Sequence, residues 1–127
     1  MIKHPIGIFI SGRGSNLKSI VDACKKKEYP AEIKVVFSNN KNAPGLGFAK
    51  ENNLEAITLN YHNFKNTEEY EEKIISLLKP YDLELICLAG YMKILSKKLN
   101  FHQMVIKLHH YPNPQLPFEY YQMAYLQ

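Results

Sequence analysis

The residues of this chain whose types and spacing point to chemistry are Ser11-Gly12-Arg13-Gly14-Ser15-Asn16. An apolar run, Ile6 to Ile10, leads into them, and a helical pattern follows. Strand, tight turn, helix is how a parallel sheet presents main-chain N–H groups to an anion. Gly12 and Gly14 allow a sharp turn and a close approach of ligand to backbone. Ser15 and Asn16 fall in the first helical turn, where the amides have no intrahelical acceptor. Their side chains could cap the helix or add donors to a phosphate. The run is not a dinucleotide fingerprint, because Leu17 stands where a third glycine is needed, and no Gly-Lys-Ser/Thr follows to make a Walker loop. A capped glycine turn without a ligand is the simpler alternative.

The elements that must position this turn read in order. Residues 6–10 form a first strand, apolar throughout and so buried on both faces. Residues 15–28 form a helix with Leu17, Ile20, Val21 and Cys24 on one face, closed by Lys25, Lys26 and Lys27 near its negative end. Residues 32–37 form a second strand, followed by a polar loop, 38–45, in which Asn39 and Gly45 either face a ligand or serve the turn alone. A helix from about Leu46 to Asn53 precedes a short strand at 55–59. Thr67 is the N-cap candidate of the next helix, with Tyr70, Ile74, Leu77 and Leu78 on its apolar face and the acids of 68–72 at its start. Residues 82–90 form the fourth strand. Strands alternating with helices predict a right-handed, open parallel α/β sheet of Rossmann-like type, with strand order 3-2-1-4. That order places the turn at 11–16 and the segment 91–95 in one crevice.

The chain has 127 residues, of which 46% are hydrophobic, which is enough for one globular core. Its net charge of +4 comes from 16 basic and 12 acidic residues. The basic residues are scattered and, Arg13 apart, all lysines, so the pattern argues against a nucleic-acid partner. Cys24 and Cys87 read as buried free thiols, with no spacing that suggests a metal site. No signal peptide and no membrane-spanning run is legible, so a cytoplasmic location is expected.

Residues 6 to 96 resemble the phosphoribosylglycinamide formyltransferase family, the folate-dependent transformylases of purine synthesis. Three motifs carry the resemblance: the run from Ser11 to Leu17; Val36-Phe37-Ser38-Asn39 with Ala43-Pro44-Gly45-Leu46; and Leu88-Ala89-Gly90-Tyr91-Met92-Lys93-Ile94-Leu95-Ser96. The resemblance implies that Gly12, Gly14, Ser15 and Asn16 bind the phosphate of glycinamide ribonucleotide. It implies that Met92, Lys93, Ile94 and Leu95 line the pocket for the co-substrate 10-formyltetrahydrofolate. Lys93 stands where the family has arginine, which keeps the charge and loses the planar guanidinium. Thr67 falls near a family position that carries a folate-contacting arginine.

Family chemistry is acyl transfer: the ribonucleotide's amine attacks the formyl carbon, and an Asn and a His stabilise the tetrahedral oxyanion, with an Asp tuning the His. The family carries the Asn and His in an Asn-Ile-His-Pro-Ser-Leu-Leu-Pro motif. This chain reads Val105-Ile106-Lys107-Leu108-His109-His110-Tyr111-Pro112-Asn113-Pro114. Aligned on apolar residues, Lys107 takes the Asn position and His109 the His position. Counted without gaps from Ser96, His109 takes the Asn position and Tyr111 the His position. His109, with His110 beside it, is the catalytic candidate, its Asn and Asp partners are not found, and two loop histidines without a catalytic partner are the alternative. The expectation is a formyltransferase-like α/β domain over 1–106 and a divergent tail over 107–127, a frameshifted or eroded remnant that leaves the enzyme impaired or inactive. A sheet edge left open is expected to make the chain a homo-oligomer. The alternatives are a non-catalytic phosphate- or nucleotide-binding module and a related formyltransferase acting on another amine.

Overall fold

The structure is a computed structural model that describes residues 3–91 and the strand at 105–108. Five parallel strands form one sheet in the order β3-β2-β1-β4-β5. They are β1 (His4–Ile10), β2 (Ala31–Ser38), β3 (Glu55–Thr58), β4 (Leu85–Ala89) and β5 (Val105–Leu108). The expected order 3-2-1-4 is thus present, and β5 extends it by pairing Ile86 with Val105 and Ala89 with Leu108. Among the described residues three α-helices connect the strands: α1 (Ser15–Cys24), α2 (Pro44–Glu51) and α3 (Thr67–Leu78).

The central strands are the most buried, β4 along its whole length and β1 from Ile6 to Ile10, because helices cover both faces of the sheet there. Ile6, Ile8 and Ile10 pack with Leu17, Ile20 and Val21 of α1 and with Leu46 and Ala49 of α2. Phe9 points the other way and packs with Val35, Phe37, Ile86 and Leu88 against Tyr70, Ile74, Ile75 and Leu78 of α3. Strict alternation would put Ile33 and Val36 on opposite faces, yet both join the α1/α2 core. The register explains this: Ile6 pairs with Ile33 and Gly7 with Val35, so Lys34 is the extra residue of a bulge. Lys34 is exposed and pairs with Glu32 at 2.7 Å.

Several sequence expectations need correction. The first helix ends at Cys24 rather than at residue 28, so Lys25, Lys26 and Lys27 lie beyond it. Its last carbonyl is served by a residue remote in sequence: Lys3 Nζ donates to Cys24 O at 2.6 Å and, just beyond the helix, to Lys26 O at 3.0 Å. The cation at the helix's negative end therefore comes from just before β1. The second helix starts at Pro44, two residues earlier than expected, because proline suits the first helical position. The cap of α3 is Asn66, not Thr67. Asn66 Oδ1 accepts the Glu69 N–H at 2.9 Å, and Glu69 Oε2 accepts the Lys65 N–H at 3.0 Å. Residue 82 does not begin the fourth strand, since Asp82 is left-handed with φ 51° and the strand starts at Leu85. Cys87 is buried, Cys24 is only half-buried, and both are free thiols. Among the described residues no helix is long and apolar enough to cross a membrane.

Candidate functional site

The C-terminal ends of β1, β2 and β4 lie side by side, because Ile10 pairs with Ser38 and Phe9 with Leu88. The chain leaves β1 through residues 11–14 and enters α1 directly. Gly14 is the N-cap, in the left-handed region at φ 75°, ψ 39°. A side chain there would be strained, and a Cβ would also sit 3.3 Å from the Gly45 Cα. Gly14 is buried, Gly12 is exposed, and a Cβ on Gly12 would meet nothing within 4 Å. The outer rim of the turn is therefore open and its inner side is closely packed.

Of the two roles open to Ser15 and Asn16, capping and donation to a phosphate, the first does not fall to them as N-cap, since Gly14 takes that position. Ser15 is the first helical residue, and the N-cap, Gly14, has no side chain with which to cap α1. Gly14 O accepts the Lys18 N–H at 3.0 Å, the first bond of the helix. Helix geometry leaves the first-turn amides without an intrahelical acceptor, so this helix start is an electropositive mouth. The first turn holds no acidic residue. Ser15 is exposed and Asn16 half-buried. Arg13 is exposed beside them, and Lys18 holds its ammonium 5.5 Å from the centre of the Phe48 ring. Such an arrangement can hold an oxyanion through main-chain donors, with cations on its flank.

The loop between β2 and α2 is the part that residue types alone did not assign. Ser11 Oγ donates to Asn39 Oδ1 at 2.6 Å. Gly45 N–H donates to Gly12 O at 3.1 Å. Gly45 is buried, and a Cβ on it would lie 2.4 Å from Ile10 Cδ1, so it serves close packing rather than a ligand. The pairings join residues 28 and 33 positions apart, and only the order β2-β1 brings them together. The sequence signal available was the combination of Ser38-Asn39 at a strand end with an Ala-Pro-Gly helix start.

On the opposite face, the end of β4 passes through Gly90, left-handed at φ 77°, to Tyr91. Tyr91 is buried, 5.2 Å from the Phe9 ring and 6.2 Å from the Phe37 ring. Burial and its hydrogen bond to Tyr70 hold the Tyr91 hydroxyl far above the ordinary phenol range. The Tyr70 hydroxyl donates to Leu59 O at 2.8 Å, and burial pushes its pKa up to about 12. These are structural phenols that stay protonated, not acid–base groups. Met92, Lys93, Ile94, Leu95 and His109 lie outside the described residues. Among the described residues no group of three or more His, Cys, Asp or Glu could hold a metal ion.

Comparison with known proteins gives the fold its relatives. A formyl transferase family model matches residues 5–114. The phosphoribosylglycinamide formyltransferase of Haemophilus influenzae is 39% identical over 106 residues, covering 82% of this chain and 50% of that protein. The Escherichia coli protein of the same name is 37% identical over 97 residues, covering 76% and 46%. The crystal structure of phosphoribosylglycinamide formyltransferase from Brucella melitensis matches with a TM-score of 0.83 at 31% identity, covering 96% of this chain and 65% of that one. The chain spans about half the length of the curated relatives it matches.

Proposed function

Since this chain belongs to the formyl transferase family, we propose that it acts with glycinamide ribonucleotide and 10-formyltetrahydrofolate, as the N-terminal part of a phosphoribosylglycinamide formyltransferase. Gly12, Gly14, Ser15 and Asn16 take the phosphate of the ribonucleotide. Met92, Lys93, Ile94 and Leu95 line the folate side, and His109 is the candidate to stabilise the oxyanion. The observation that carries this reading is the start of α1: left-handed Gly14 as an N-cap with no side chain, no acid, and an open rim at Gly12. A phosphate dianion supplies the acceptors that such a helix start lacks.

The reaction joins the ribonucleotide's amine to the formyl carbon and expels the reduced folate nitrogen. What the described residues contribute is binding and orientation. The turn fixes the phosphate at the end of β1, and the pairing of β1 with β4 sets the neighbouring strand end beside it. Residues 105–114 contain no Asn two positions before a His. On this ground the chain is proposed to bind the ribonucleotide while its formyl transfer is impaired.

Calorimetric titration with glycinamide ribonucleotide, paired with a formyl-transfer assay, tests both halves. The ribonucleotide is expected to bind, and Gly12→Asp is expected to abolish binding while leaving the fold intact. The new carboxylate meets open space and the positive end of α1, yet repels the phosphate. Unchanged affinity in Gly12→Asp would overturn the assignment of the turn. Turnover at the rate of a full-length relative would overturn the impairment.

A further inference from the structure

The glycine turn is held from one side. Gly45 donates its N–H to Gly12 O, and a Cβ on Gly45 would lie 3.2 Å from Gly12 O and 3.3 Å from Arg13 O. The carbonyls of residues 12 and 13 therefore face the start of α2. Carbonyl oxygens at an anion site repel the anion, so a turn that binds phosphate must send them elsewhere while its amides face the mouth.

Two side chains tie down the entry to that turn: Asn39, whose Oδ1 accepts the Ser11 hydroxyl at 2.6 Å in a half-buried setting, and Asn40, whose amide donates to Ser11 O at 3.5 Å. Asn39 sits on a braced strand end. Ser38 is fully buried, its Oγ accepts the Asn40 N–H at 3.0 Å, and its carbonyl accepts the Thr58 hydroxyl at 2.8 Å. The support thus runs from β3 through the end of β2 to the turn after β1.

We infer that Ser11 and Asn39 are positioning residues, whose mutual hydrogen bond keeps the turn's carbonyls away from the anion and so sets affinity for the phosphorylated ligand. The inference rests on the phosphate reading of residues 12–16 and adds the residues that shape that site.

The test titrates inorganic phosphate and glycinamide ribonucleotide against wild type, Ser11→Ala, Asn39→Ala, the double variant and Ser11→Thr, with thermal unfolding of each ligand-free protein in parallel. Each alanine variant should bind about fivefold more weakly, the worth of one hydrogen bond. The double variant should be no weaker than either single one, because each removes the same contact. Ser11→Thr keeps the hydroxyl and should restore the affinity, a result that a general loss of packing would not give. Additive losses, or wild-type affinity in the alanine variants, would overturn the inference while leaving the site in place. If wild type binds neither ligand, the phosphate reading falls and this inference falls with it. Should Asn39→Ala fail to fold, Ser11→Ala against Ser11→Thr alters the other end of the same bond and decides the matter.

Discussion

The face of the sheet under α1 and α2 is filled by Ile6, Ile8, Ile10, Leu17, Ile20, Val21, Ala43, Leu46 and Ala49. The face under α3 is built on rings: Phe9 and Phe37 at 4.8 Å, Phe9 and Tyr91 at 5.2 Å, and Tyr70 at 5.2 Å from both Tyr61 and Phe64. Small residues on the first face let α2 approach the glycine turn until Gly45 touches it. The rings of the second face instead tie the 59–64 loop to the end of β4, through the Tyr70 hydroxyl on Leu59 O and the edge-on contact of Tyr91 with Phe9. The aliphatic face therefore shapes the glycine turn after β1, and the aromatic face holds the sheet and its loops together.

Variants that separate stability from binding would sharpen or break this division. Ile74, on α3, is 1% exposed in the aromatic-face core. Ile74→Ala should cost about 2–5 kcal/mol of stability. Denaturant melts should show that loss, while the protein that remains folded binds the ribonucleotide as before. A large loss of affinity would erase the distinction between the faces.

Gly45→Ala tests the other face. Its Cβ would press on Ile10 Cδ1 and on the carbonyls of Gly12 and Arg13. Overpacking of this kind costs about 1–3 kcal/mol. Here affinity for the ribonucleotide should fall together with stability, because the displaced carbonyls belong to the turn. A variant that melts lower and binds normally would uncouple α2 from the site.

Tyr70→Phe removes the hydroxyl that meets both Leu59 O and Tyr91, at about 0.5–1.5 kcal/mol for each lost bond. It also carries a pH signature. The folded state raises the Tyr70 pKa from the ordinary 10 to about 12, so it keeps a proton that the unfolded chain releases. That contribution is intact below pH 10 and is lost as pH rises through about 12. The wild-type stability curve should fall more steeply than that of Tyr70→Phe over this window, with ligand affinity at neutral pH unchanged.

The sheet was legible because its signals are local. Ile6 to Ile10 and Leu85 to Ala89 are continuous apolar runs, and a helix separates each strand from the next among the first four. The glycine turn was legible in residue types, and its cap was not. A serine after a glycine reads as an N-cap, but the left-handed Gly14 takes that position and moves Ser15 into the helix. Contacts between distant residues stayed hidden: Lys3 on the end of α1, and Ser11 on Asn39, joined 21 and 28 positions apart. The bulge at Lys34 was hidden too, because it depends on the register with β1 rather than on β2 itself. Asn66 was missed although Asn-x-x-Glu is a capping pattern, because Thr67 competes for the same reading.

The central claim is that main-chain donors at the start of α1 hold the ribonucleotide's phosphate. A crystal structure of the chain soaked with glycinamide ribonucleotide tests it most directly. The account predicts phosphate oxygens at about 3 Å from backbone nitrogens of residues 12–16. Phosphate bound elsewhere, with the mouth of the turn unfilled, would contradict it.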